Sequence, residues 1–159
     1  MCIRDRYNDP RIHKNKMRVK AIGRLELLPD TINDVLSRLD NATVGYDKHF
    51  LNIAIAYGGQ NELVDAVKKI ADDIKGGKLD SKDIDKKTIE SKLYTSHLPQ
   101  SSPDMILRTS GEKRMSGFLM WQSVYSELVF LDIFWPEFRK IDLMRAIRTF
   151  QKRKRRVGK

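Results

Sequence analysis

The run from Phe50 to Tyr57 (FLNIAIAY) constrains the chain most. It is apolar nearly throughout and stops at Gly58-Gly59. A strand with so few polar residues is expected to be covered on both faces, and such strands belong to parallel sheets with helices above and below. The stretch that follows, Asn61 to Lys75, is expected to be an amphipathic helix. Leu63, Val67, Ile70 and Ile74 recur on one face, with Lys68, Lys69, Asp72 and Asp73 on the other. Gly76-Gly77 is its stop.

The rest of the chain repeats this alternation. Met17 to Ile22 (MRVKAI) alternates apolar and basic residues and reads as a strand. Pro29 to Asn41 reads as a helix, with Ile32, Val35, Leu36 and Leu39 at helical spacing. Lys78 to Lys87 is a polar excursion, expected to be a mobile surface segment. Short elements follow: a helix over Lys87–Tyr94, a strand at Met105–Leu107, helical structure over Phe118–Tyr125 and a strand at Leu128–Leu131. Ile141 to Lys154 is a last helix, with Leu143, Ala146, Ile147 and Phe150 inward. Alternating strands and helices imply an α/β fold, a mostly parallel sheet flanked by helices in a single domain. In such sheets ligands bind beyond the C-terminal ends of the strands.

The 159 residues suffice for one core, and 40% hydrophobic with 33% charged residues describes a globular chain. The one cysteine, Cys2, permits no intrachain disulfide, which suits a reducing cytoplasm. No apolar run approaches the roughly 18 residues of a membrane span, so any membrane contact is expected at the surface. Net charge is +10, and Lys152 through Arg156 supply half of it. Such a balance suits anionic partners, whether phosphorylated small molecules, anionic lipid or nucleic acid.

Chemistry gathers in one stretch, PDMILRTSGEKRMSGFLMWQSVYSE, from Pro103 to Glu127. An apolar strand runs into Arg108, Thr109, Ser110, Gly111, Glu112, Lys113, Arg114 and Ser116. Forked guanidinium groups match phosphate oxygens in two-point contacts, and Gly111 would let the backbone turn and present its N–H groups. The arrangement reads either as a diphosphate cradle or as a polar loop with surface arginines. Neither GxxxxGK[ST] nor GxGxxG occurs. Phe118, Met120, Trp121 and Tyr125 read as core, Trp135-Pro136 as a turn, and His13, His49 and His97 have no metal-ligand spacing.

The string RTSGEKRMSGFLMWQSVYSEL resembles the paired motifs RTSGExRxS and YSEL of the cis-prenyltransferases, the undecaprenyl diphosphate synthase family. LNIAIAYGGQNELVDAVKKI resembles the block before it, FWPEF the block after it, and RIHKNKMRVKAIGRLELLP the entry to the family's third strand. The resemblance runs from about Arg11 to the end and is nearest to archaeal members. Residues 1–10 do not share it and are expected to be a non-native or disordered start. Gln60 stands where many members have arginine. The family's N-terminal block with its MDGN-type aspartate is not in this sequence, and the domain is expected to lack its first strands.

The resemblance implies cis-prenyl chain elongation, in which isopentenyl diphosphate condenses with an allylic diphosphate to give a polyprenyl diphosphate. It implies that Arg108, Arg114 and Ser116 bind the diphosphate of isopentenyl diphosphate. Glu127 is implied as the catalytic carboxylate that organises that site and its Mg2+, with Glu112 as a second candidate. It further implies a cytoplasmic homodimer in which Arg156 and Gly158, in an RxG element, complete the partner's site in trans. Without the N-terminal aspartate, the chain alone is expected to be inactive. Two other readings compete: a non-catalytic subunit of a heteromeric enzyme, and a nucleic-acid-binding module. The second is disfavoured because the positive charges are not interleaved with exposed aromatics.

Overall fold

The computed structural model describes residues 9–100 and 102–153, which form two compact units divided after Pro99. Residues 1–8 of the expected non-native or disordered start, with Cys2 among them, and Arg156 and Gly158 lie outside the described residues.

The first unit opens with a short helix, α1 (Pro10–Lys14). Asp9 caps it by accepting from the Arg11 N–H, and a proline occupies its first turn. β1 (Met17–Ile22) and β2 (His49–Ala54) pair in parallel, Met17 opposite His49 through Ile22 opposite Ala54. They are joined through α2 (Asp30–Thr43). Ile12, Val19 and Leu39 form the core between α1, β1 and α2, with Met17 and Ile53 against it. Thr43, fully buried, accepts from the Val19 N–H at 3.1 Å and donates to the Leu39 carbonyl at 2.8 Å. It thereby supplies a partner to a β1 donor that β2 does not reach.

The β1 bounds match those the alternation implies, but β2 corrects the sequence reading. Phe50 and Leu51 point to opposite faces and are 37% and 42% exposed. The run has the composition of an interior strand, yet among the described residues β2 pairs only with β1, and the expected cover on both faces is not supplied.

α3 (Gly59–Lys75) is also rotated from its expected orientation. Glu62, Ala66 and Ile70 face inward, while Val67 is exposed. A carboxylate can occupy that face because its oxygens are satisfied: Tyr57 Oη donates to Glu62 Oε2 and the Tyr94 N–H donates to Oε1 at 2.8 Å. Residues 78–87 are exposed but locally ordered, with a 3-10 turn at Ser81–Asp83 and an Asp85–Thr88 capping box that starts α4 (Lys86–Lys92).

The second unit pairs β3 (Met105–Arg108) with β4 (Glu127–Phe130), again in parallel, Met105 opposite Glu127 and Arg108 opposite Phe130. Residues 117–125 form successive turns rather than a helix. Positive φ at Ser116, Gly117 and Leu119 interrupts the right-handed path a helix needs. The expected core assignment fails there too: Phe118, Met120 and Tyr125 are 40%, 41% and 73% exposed. Trp135–Glu137 makes the expected turn, with Trp135 stacked on Phe138. α5 (Lys140–Lys152) buries Asp142 and Ala146 and leaves Leu143 exposed. Parallel strands alternating with helices make the fold α/β, as expected. Among the described residues no helix is long and apolar enough to cross a membrane.

Candidate functional site

β3 ends at Arg108, and the loop beyond it folds back on that residue. The Arg108 Nη1 donates to Ser116 Oγ at 2.9 Å and to the Arg114 carbonyl. The side chains of Arg108 and Ser116 and the backbone of Arg114 therefore meet at the C-terminal end of β3, where α/β folds place ligands. They border a cavity of about 480 Å3 whose other lining is mostly apolar, including Ile106, Phe118, Leu119 and Phe130. The Arg114 guanidinium pairs with Glu112 at 2.5 Å, and both side chains are exposed. An anion entering here meets Arg108 held by two acceptors and Arg114 held by one carboxylate.

The loop backbone is not available as expected. Ser110 (φ 78°) and Gly111 (φ 72°) are both left-handed. Their N–H groups are spent on the neighbouring segment, Ser110 on the Ile133 carbonyl at 2.7 Å and Gly111 on the Leu131 carbonyl at 3.0 Å. A Cβ at Gly111 would stand 2.7 Å from Asp132 Oδ1. The glycine thus allows close approach of the 131–133 segment rather than presenting donors to a ligand. The N–H groups of Ser110 and Gly111 are therefore not open to a ligand.

Glu127 does not join this group. Arg108 faces Phe130 while Glu127 faces Met105, so the carboxylate sits at the opposite end of the strand pair, about 10 Å along it at 3.3 Å per residue. There it accepts from the Arg153 Nη1 at 2.8 Å, and the same nitrogen donates to the Leu128 carbonyl at 2.8 Å. Among the described residues no three His, Cys, Asp or Glu side chains could together hold a metal ion. Glu127 is thus engaged by Arg153 and Glu112 by Arg114.

The first unit holds a polar network that the sequence reading missed. Arg24, just after β1, reaches Asp65 in α3 with two bonds, Nε to Oδ2 at 3.0 Å and Nη2 to Oδ1 at 2.8 Å. Tyr94 donates its hydroxyl to the same carboxylate. The guanidinium first, and the phenol second, hold the Asp65 carboxyl down at about 2. Burial, reinforced by Asp65, pushes the Tyr94 phenol up to about 12. Every charge is matched, so the network braces β1, α3 and the segment after α4. The sequence carried no signal for it, because hydropathy assigns the acidic residues of α3 to the outer face. His13 Nδ1 lies 3.0 Å from the Tyr46 hydroxyl and His97 Nε2 2.8 Å from Asn52 Oδ1.

Comparison with known proteins bears on the family and the fold. The family model "Putative undecaprenyl diphosphate synthase" matches residues 2–158. A Methanocaldococcus jannaschii protein named tritrans,polycis-undecaprenyl-diphosphate synthase (geranylgeranyl-diphosphate specific) is 53% identical over 96% of this chain and 54% of its own length. A Pyrococcus abyssi protein of the same name is 49% identical over 98% of this chain and 58% of its own. The chain thus spans little more than half the length of these relatives. Among solved structures, lavandulyl diphosphate synthase from Lavandula x intermedia, in complex with dimethylallyl diphosphate, superposes with a TM-score of 0.93 at 30% identity, covering 99% of this chain and 68% of that one. A Campylobacter jejuni protein described as a probable undecaprenyl diphosphate synthase gives 0.81 at 30% identity, covering 99% and 70%. With its motifs, its parallel α/β fold and the family model matched nearly end to end, the chain belongs to the undecaprenyl diphosphate synthase family of cis-prenyltransferases.

Proposed function

We propose that Arg108, Arg114 and Ser116 bind the diphosphate of isopentenyl diphosphate, and that the chain serves a cis-prenyl chain elongation in which an allylic diphosphate is extended. One observation carries the reading: a guanidinium fixed by Ser116 and the Arg114 backbone at the mouth of a mostly apolar cavity. Such a mouth suits a short amphiphile with a doubly charged head. The names of the archaeal relatives make geranylgeranyl diphosphate the allylic substrate of choice.

In this reaction magnesium would assist departure of the allylic diphosphate. Arg108 and Arg114 hold the head group, and the apolar walls orient the butenyl chain and keep water from the developing cation. The 159-residue chain itself is proposed to bind isopentenyl diphosphate without elongating it.

The test is calorimetric titration of the chain with isopentenyl diphosphate. Saturable binding is expected, weakened about tenfold or more in Arg108→Ala through loss of a charge-assisted contact of roughly 1.5–3 kcal/mol. Equal affinity of wild type and variant would refute the assignment. In parallel, labelled isopentenyl diphosphate with Mg2+ and geranylgeranyl diphosphate should give no butanol-extractable product, and turnover would overturn that part.

We further propose a homodimer in which Arg156 and Gly158 reach the partner's cradle. Support comes from the likeness of Arg156-Val157-Gly158 to the family's RxG element, and from Arg153, whose side chain bonds Glu127 at the end of the strand pair away from Arg108. Mixing Arg114→Ala and Arg156→Ala subunits of a full-length parent should restore part of the activity if the tail acts in trans. No recovery after verified exchange would count against it.

A further inference from the structure

We propose that Phe118 and Leu119 are specificity-determining residues of the cradle, a short apolar wall that selects the hydrocarbon carried by a diphosphate head. The head is the one assigned to Arg108 above, on which this rests; the wall is a separate selection on what that head carries.

The wall is built at a local backbone cost. In a right-handed helix consecutive side chains point about 100° apart, so two neighbours do not share one wall. Here Phe118 and Leu119 both border the cavity of about 480 Å3 that Arg108 and Ser116 also line. The difference comes from Leu119, whose backbone is left-handed at φ 47°. It stands between two turns: the Phe118 N–H donates to the Met115 carbonyl at 3.1 Å, and the Ser123 N–H donates to the Leu119 carbonyl at 2.9 Å. Ser116 is left-handed too, at φ 50°, and its Oγ accepts from Arg108 at 2.9 Å. The same backbone departure therefore sets the head-group contact and, three residues on, the wall.

Among the described residues five non-glycines have positive φ, and three of them, Ser110, Ser116 and Leu119, lie in this one loop. Leucine is the costliest of the three, because it has no polar group to bond locally in that conformation. Such strain persists only where the surroundings impose it, and it gathers at ligand sites. The side chain kept there is bulky, apolar and only partly buried, and it lines open space. Ile106, Leu107 and Phe130 supply further apolar lining. A sugar or a nucleoside in place of the hydrocarbon would lose its water against these side chains without gaining partners. The wall thus favours short branched hydrocarbon diphosphates over nucleoside diphosphates.

Calorimetric titration of the 159-residue chain with isopentenyl diphosphate and with methyl diphosphate, the same head on one carbon, separates wall from head. The wild type should favour isopentenyl diphosphate about tenfold or more. Leu119→Ala should cut that ratio about fivefold and leave methyl diphosphate affinity within about twofold; Phe118→Ala should move the ratio in the same direction. Leu119→Gly removes the same side chain and relieves the backbone. It should show the same low ratio, with a urea midpoint about 0.5 M above that of Leu119→Ala, the reverse of the order in a right-handed helix. It also carries the measurement if the alanine variant does not fold. No preference in the wild type, or an unchanged ratio in the Leu119 variants, would overturn the wall, and a glycine variant less stable than a folded alanine one would overturn its strained origin. Arg108→Ala should weaken both ligands alike and keep their ratio. Normal affinity for both in that variant would sink the head-group assignment while the wall stands on the ratio.

Discussion

Thr43→Val is the sharpest probe of how the first unit holds its sheet. Thr43 is fully buried, and its hydroxyl is the acceptor for the Val19 N–H at 3.1 Å. Valine keeps the shape and adds apolar character, so no cavity forms. The Val19 donor, itself in a residue only 1% exposed, is left without its acceptor. The Leu39 carbonyl loses the hydroxyl but, being in α2, keeps its helical donor. Stranding one buried N–H costs about 1–3 kcal/mol. Thr43→Ser keeps the hydroxyl and removes one methyl, which costs about 1 kcal/mol. The larger and more hydrophobic valine should therefore be the worse substitution. With a urea slope of about 2 kcal/mol per molar, a loss of about 2 kcal/mol lowers the unfolding midpoint by roughly 1 M. Amide exchange at Val19 gives a local readout and should accelerate in Thr43→Val more than in Thr43→Ser. If valine proves equal to serine or better, and the Val19 amide stays protected, the hydroxyl is not capping the strand and the reasoning fails.

Three further outcomes follow from the geometry. Asp65 is held near 2, below the ordinary carboxylate value of 3.8, so its contribution to stability is complete above that ordinary value and is lost as pH falls toward 2. Asp65→Asn should flatten the acid limb of the stability profile between about pH 4 and pH 2, and an unchanged limb would count against the Arg24 pairing. His97 is depressed, first by burial and then by Lys20, so the folded state favours the neutral ring and stability should decline as pH drops below the ordinary histidine value of 6.5; His97→Gln should remove that decline in urea unfolding followed from pH 7.5 to 5. Gly23→Ala should abolish folding of the first unit, because its Cβ would lie 2.0 Å from the Ile55 carbonyl oxygen at φ 128°, and a dispersed, native-like amide spectrum for that variant would refute the contact.

The sheet strands and the α3 helix were legible because each has a period long enough to read: six alternating residues in β1 and seventeen in α3. The orientation of α3 was not, because hydropathy assigns Glu62 outward and cannot see the tyrosine hydroxyl and backbone N–H that satisfy it inside. The five-residue α1 is too short for periodicity, although Asp9-Pro10 carries the capping signal. The residues of the cradle were visible as a motif, but the use of its N–H groups by the 131–133 segment was not, since that contact joins loops about twenty residues apart. The place of Glu127 was within reach. Arg108 ends one strand and Glu127 begins its parallel neighbour, so the two had to lie at opposite ends. The Arg153 partner was not, because nothing in the composition of a basic tail singles out its first arginine.

The Glu112–Arg114 pair described at the cradle carries a consequence for selectivity by charge density. An arginine that already holds an internal carboxylate presents a threshold: an incoming anion gains only the difference between its own attraction and that of the counter-ion it displaces. Acetate or chloride offers no more charge than the glutamate, which is present at high effective concentration through its two-residue tether. A diphosphate offers more charge over several oxygens and can engage Arg108 at the same time. Glu112 would then act as a filter that keeps the cradle closed to the abundant monovalent anions of the solvent. Glu112→Gln should remove the threshold, so that potassium acetate competes with pyrophosphate at concentrations that leave the wild-type chain unaffected, and equal competition in both proteins would show that the pair sets no such limit.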